Sequence, residues 1–141
     1  MRLNHFTDFS MRVLMYLNKK NNADSSSLDE LAERFSISRN HLVKVVQFLS
    51  NNGLVLTKRG KNGGILISEK ATQMGLGDLI NLLEQDETPV ISCISKPCVF
   101  SSHNCKLKSF LDIAYQAFLD SLNKNQLSDL KFENWNSIFS P

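Results

Sequence analysis

Between Ser27 and Gly53 the chain carries two helix starts, a short polar link and a glycine stop, and a glycine-rich reversal follows at once. No other stretch constrains the fold so tightly. "SSLDELAERF" opens with serines and places acidic residues in the first turn, as a helix N-terminus does, with Leu28, Leu31, Ala32 and Phe35 as its apolar stripe. After the link "SIS", Ser38 is placed to cap a second helix, "RNHLVKVVQFLSNNG", and Gly53 to end it. Leu42, Val45, Val46 and Leu49 recur at helical spacing and face inward, while Asn40, His41, Lys44 and Gln47 face outward. "LVLTKRGKNGGILIS" then alternates Leu54 and Leu56, Ile65 and Ile67 around a glycine-containing turn, which predicts a β-hairpin. Two short helices in tight succession followed by a hairpin make a winged helix-turn-helix, with Lys58, Arg59 and Lys61 on the wing.

Charge follows the same division. Residues 1–70 hold 11 Lys/Arg against 6 Asp/Glu, and residues 71–141 hold 5 against 8. From Arg34 to Lys61 there are six basic residues (Arg34, Arg39, Lys44, Lys58, Arg59, Lys61) and no carboxylate. An ordinary surface mixes both signs, so this stretch predicts a face turned toward a polyanion.

The flanks complete a mainly α chain with a small β-hairpin. A first helix is predicted over Leu3–Leu17, with Phe6, Phe9, Val13, Leu14 and Leu17 on one face. "GLGDLINLLEQ" predicts a helix entered through Gly77 and Asp78, with Leu79, Leu82 and Leu83 apolar. A long helix is predicted from Cys105 to about Asn123. It carries two apolar stripes: Leu107, Leu111, Ala114, Phe118 and Leu122, and beside them Phe110, Ile113 and Ala117. One domain surface does not cover both, so one stripe is expected to meet a second copy in a homodimer. The expected division is 1–85 for the winged domain, 86–105 for a cysteine loop, 106–123 for a dimerisation helix, and 124–141 for a tail in which Trp135 and Phe139 either dock or fray. With no apolar run of membrane-spanning length and no signal-peptide pattern, the expected location is the cytoplasm, without a membrane partner.

All three cysteines, Cys93, Cys98 and Cys105, lie in "CISKPCVFSSHNC". In a reducing compartment such a cluster suggests a metal or redox role over a structural disulfide. Inert core thiols suit a loop with Pro97, Ser101, Ser102 and Asn104 poorly. A disulfide would leave one thiol over. Zinc held by the three thiolates and His103 is strained by the short step from His103 to Cys105. An iron–sulfur cluster fits better, its fourth position filled by another donor. A thiol enzyme is not expected, since beyond Lys96 nothing nearby lowers a cysteine pKa and no substrate pocket is legible.

"FTDFSMRVLMYL", "ISRNHLVKVVQFLSNNGLV", "RGKNGGI", "LGDLI" and "CKLK" together closely resemble NsrR, the nitric-oxide-sensing repressors of the winged-helix family that also contains the iron–sulfur regulator IscR. The resemblance runs over about residues 1–123. It implies a bacterial homodimeric repressor on a palindromic double-stranded DNA operator, with a [4Fe-4S] cluster on Cys93, Cys98 and Cys105 and Asp8 of the partner subunit as fourth ligand. Nitric oxide is then the signal that lowers operator affinity. IscR-like proteins place a histidine three residues after the last cysteine; Lys108 stands there. The step from Cys98 to Cys105 is one residue longer than the family pattern, which leaves a [2Fe-2S] cluster and another iron or redox signal as the alternative. Ser38, Arg39, Asn40, His41 and Lys44 are expected in the major groove, and Arg59, Lys61 and Asn62 at phosphates or the adjacent minor groove.

Overall fold

The computed structural model describes residues 3–19, 24–61, 63–85, 91, 98–100, 105–130, 132 and 138. Six helices and one antiparallel hairpin follow one another in these segments: α1 (His5–Lys19), α2 (Leu28–Phe35), α3 (Arg39–Asn51), β1 (Val55–Lys58), β2 (Gly64–Ile67), α4 (Glu69–Gln73), α5 (Leu76–Glu84) and α6 (Lys106–Leu122), with a 3-10 turn at Leu127–Asp129. Trp135 and Phe139 lie outside the described residues, as do Cys93, Lys96, Asn62 and His103. The architecture is the expected winged helix-turn-helix with a long helix after it.

The two central helices form as the local signals require. Ser27 caps α2, its Oγ accepting from Glu30 N at 3.0 Å, and Ser36 ends the helix in the left-handed region. At Ser38 the cap is looser. His41 N donates to the Ser38 carbonyl at 3.0 Å but reaches its Oγ only at 3.4 Å, while that Oγ sits 3.0 Å from His41 Nδ1. α3 closes on Gly53, at φ +69°, with Leu54 N donating back to Leu49 O at 2.8 Å; a left-handed residue at this point favours glycine. Leu42, Val45, Val46 and Leu49 are all buried, as the spacing predicts. α1 crosses them, with Phe6 edge-on to Phe48 at 5.3 Å and Tyr16 edge-on to Phe35 at 5.6 Å.

Four expectations need correction. The first helix begins at His5 and not Leu3, because Asn4 is its cap: Asn4 Oδ1 accepts from Thr7 N at 2.8 Å, and Asn4 also grips Glu84 at the end of α5. The hairpin does not alternate as predicted. Leu56 is 54% exposed while Val55 and Leu66 are buried. β2 is bonded by β1 on one edge and by Ser26 on the other, with Ser26 N to Ile65 O at 3.0 Å and Ile65 N to Ser26 O at 2.8 Å. The middle strand is thus buried on both faces, and the edge strand leaves the core after Val55.

α5 starts at Leu76, capped by Gly75, two residues before the expected entrance at Gly77. Gly77 is inside the helix, where α6 approaches so closely that a Cβ would lie 2.1 Å from Leu119 O. Finally, the sequence reading missed α4. Ser68 caps it, donating to Gly53 O at 2.7 Å while accepting from Ala71 N, and Lys70 donates to Asn52 O at the C-terminal end of α3.

Residues 124–130 turn back onto the winged domain. Leu127 is fully buried, Leu76 N donates to Asn125 O at 2.9 Å, and Asn18 Nδ2 donates to Leu127 O at 3.0 Å.

Candidate nucleic-acid interface and cysteine loop

The polar face of α3 is open. Ser38, Arg39, Asn40, His41, Lys44 and Gln47 are exposed, and so are Lys58, Arg59 and Lys61 on the wing. The wing holds its shape through glycine. Gly63 N donates to Gly60 O at 2.9 Å, Gly60 has φ +103°, and a Cβ on Gly63 would lie 2.3 Å from Lys58 O. Backbone of this tightness leaves no room for a side chain at Gly63. The wing is also tied down near its turn, since Ser25 Oγ donates to Gly63 O at 3.2 Å.

Two of the expected DNA contacts have partners that the sequence did not disclose. The His41 ring lies 6.1 Å from that of Phe9 on α1, so α1 supports the N-terminal turn of α3. Arg39 Nε donates to Asp29 Oδ1 at 2.9 Å, and both side chains are well exposed. Arg34 to Lys61 is free of acids along the chain, yet a carboxylate from α2 stands beside it in space. Asp29 reads from sequence only as a first-turn acid; nothing local signals its reach to Arg39. A groove of about 340 Å³ runs between α2, α3 and the wing, with Asp29, Arg39, Val46, Thr57 and Lys58 along it.

Of the expected metal ligands, Cys98, Cys105 and Asp8 fall among the described residues and Cys93 does not. Cys98 is half-buried, and Cys105 is exposed at the N-cap of α6. Asp8 is half-buried on α1, where Arg12 holds it through Nε to Oδ1 at 3.1 Å and Nη2 to Oδ2 at 2.8 Å. Among the described residues no three His, Cys, Asp or Glu side chains gather closely enough to hold a metal ion. Lys108, at the position where IscR-like proteins carry histidine, pairs with Asp112 one turn on.

α6 packs on α5 through its C-terminal part. Leu119 is buried, and Asn123 and Asp78 exchange two hydrogen bonds, Asp78 N to Asn123 Oδ1 at 2.9 Å and Asn123 Nδ2 to Asp78 Oδ1 at 2.8 Å. Of the predicted stripes, Leu111, Phe118 and Leu122 are half-buried, whereas Phe110 is 62% and Ile113 64% exposed. Among the described residues no helix is long and apolar enough to cross a membrane.

Solved structures share this arrangement. A protein of Listeria innocua described as a transcriptional regulator superposes with a TM-score of 0.73 at 23% identity, over 92% of this chain and 85% of that one. The oxidised form of Staphylococcus aureus CymR gives 0.70 at 26% identity, over 92% and 95%. IscR of T. potens gives 0.69 at 18% identity, over 92% and 85%. The family described as Rrf2, iron-dependent transcriptional regulator, matches residues 3–133, nearly the whole of the chain, which therefore belongs to the Rrf2 family of transcriptional regulators.

Proposed function

We propose that this protein is a cytoplasmic transcriptional repressor that binds a palindromic operator as a homodimer and releases it in response to nitric oxide through a [4Fe-4S] cluster. One observation carries the DNA-binding half: the exposed face of α3 (Asn40, His41, Lys44) and the exposed wing cations (Lys58, Arg59, Lys61) follow one another on a two-helix-plus-hairpin frame. The second helix of such a frame fits the major groove with its N-terminal residues nearest the base edges. Wing cations add phosphate contacts, and each such contact releases counterions and makes affinity fall with salt. Of the expected residues, Ser38, Arg39, Asn40, His41 and Lys44 serve the groove, and Arg59, Lys61 and Asn62 the backbone.

The donor set suits an iron–sulfur cluster. Thiolates are its usual ligands. Cys105 is an exposed thiol at the N-cap of α6, open to a group that approaches the start of that helix. Cys93, Cys98 and Cys105 would hold the cluster, with Asp8 of a second copy as the fourth ligand. When bound, it supplies irons that react with nitric oxide. The chain's own residues link that site to DNA. Asp8 neighbours Phe9, whose ring lies against His41, and Phe6 packs against Phe48, so a shift of α1 is passed to both ends of α3. The uncovered Phe110 and Ile113 face of α6 provides the seam that sets the separation of the two copies of α3.

The test is a titration of full-length, cluster-loaded protein with its selected operator at fixed salt, before and after a nitric oxide donor, with the visible spectrum followed in parallel. Specific affinity is expected to fall toward the non-specific level, on the order of 10³-fold. Equal binding by loaded and cluster-free protein would sink the sensing proposal.

One observation favours a second reading, a [2Fe-2S] cluster or a different iron or redox signal. Asp8 is already held by Arg12 in a doubly bonded pair. In that case iron chelation changes operator binding and nitric oxide does not.

A further inference from the structure

The Asp29–Arg39 pair has little stability to offer. Its side chains are 79% and 62% exposed, and exposed pairs of this kind contribute at most about 1 kcal/mol. On a face that meets DNA, a carboxylate also repels phosphates and lowers affinity. The geometry gives the pair a different use. Arg39 is the first residue of α3, the end of a recognition helix that lies nearest the base edges. Asp29 engages its Nε alone, at 2.9 Å, and among the described residues Nη1 and Nη2 have no partner. A guanidinium held by Nε presents Nη1 and Nη2 as a parallel fork, the arrangement that matches O6 and N7 of guanine in the major groove. Asp29 is itself held in place by α2, whose first turn is fixed by the Ser27 cap.

We propose that Asp29 is a specificity-determining residue: from α2 it fixes the orientation of Arg39 on α3, so that Arg39 reads one guanine in each half-site. This rests on the proposal that α3 enters the major groove. Without Asp29, Arg39 keeps its charge and its reach to DNA but swings among rotamers, and a mobile guanidinium finds a phosphate as readily as a base. Asp29 therefore raises discrimination and lowers non-specific affinity at once.

The experiment is a selection of duplexes from a randomised pool by the full-length, cluster-loaded chain, followed by affinities at fixed salt for three kinds of duplex. These are the selected site, the same site with single base pairs replaced, and an unrelated sequence. Arg39→Ala and Asp29→Ala are expected to lose discrimination at the same G·C pair of each half-site, on the order of tenfold. Other positions stay sharp, and Asp29→Ala binds the unrelated duplex as tightly as the parent or more tightly. Asp29→Asn retains most of the discrimination, because its amide oxygen still accepts from Nε.

If Arg39→Ala flattens a position and Asp29→Ala leaves the whole profile like the parent's, Asp29 has no positioning role. Uniform weakening on every duplex by Asp29→Ala, not recovered in Asp29→Asn, likewise overturns the proposal by showing a merely structural effect. A parent chain that enriches no sequence, or an Arg39→Ala variant with the parent's profile, removes the premise that α3 reads DNA through Arg39, and is read separately from the other two results.

Discussion

At the scale of single residues, Tyr16 shows how a polar group is accommodated in the core. It is 4% exposed, its hydroxyl donates to Glu30 Oε1 at 2.6 Å, and its ring meets Phe35 edge-on. Burial, then the hydrogen bond to Glu30 and the charge of that carboxylate, push its pKa from 10.0 up to about 12, with Arg34 opposing. The sign follows from the phenol being neutral when protonated. Below pH 10 both folded and unfolded chains keep the proton and the full contribution is present. Between pH 10 and 12 the unfolded chain ionises first, and stability falls by roughly 2 to 3 kcal/mol. Tyr16→Phe is expected to cost about 1 kcal/mol at neutral pH and to lose less stability than the parent between pH 10 and 12. Urea unfolding of both proteins at pH 7, 10 and 12 measures the difference. The sequence shows Tyr16 on a helix but gives no sign of Glu30 as its partner, because the two meet only when α1 crosses α2.

At the scale of elements, the joint between α5 and α6 depends on a side chain that is absent. Gly77 lets the backbone of Leu119 come close, and the Asn123–Asp78 pair locks the crossing. In Gly77→Ala the new methyl meets a carbonyl oxygen of a helix, which cannot rotate away as a side chain would. Helix α6 must shift, with an expected cost of about 1 to 3 kcal/mol, read as a lower thermal midpoint. The end of α5 is tied to the start of α1, since Asn4 holds Glu84 by three hydrogen bonds at the last residue of α5. From sequence "GLGDLI" reads as a helix entrance because glycine is common at helix ends. Its real use here, close approach to a helix more than 40 residues further on, leaves no local trace.

At the scale of the whole molecule, the proposed homodimer links the exposed face of α6 to the two recognition surfaces. Phe110 and Ile113 are large, apolar and mostly exposed on a helix otherwise dotted with Lys108, Asp112 and Gln116. Phe110→Lys is expected to leave the winged domain's stability within about 0.5 kcal/mol, as surface changes usually do. The same change should convert the protein to a monomer in sedimentation velocity. Affinity for the full palindrome then drops sharply while that for an isolated half-site is unchanged. A dimer that survives Phe110→Lys together with Ile113→Glu would place the seam elsewhere.

Ser27, Ser38 and Gly53 mark helix ends through atoms three to five residues away, and Leu42 through Leu49 need only the helical period to find the inside. Signals of this range exist in the chain before it folds, so α2, α3, the glycine wing and the span of α6 were legible in the sequence alone. The face on which Leu56 lands, the burial of Leu127, the docking of α4 under Asn52 and the reach of Asp29 to Arg39 were not. Each depends on which segments pack side by side, and the residues concerned are 10 to 109 positions apart in sequence. Hydrophobic burial rewards any arrangement that covers apolar surface; only the assembled core selects one, and with it the partner of each exposed charge.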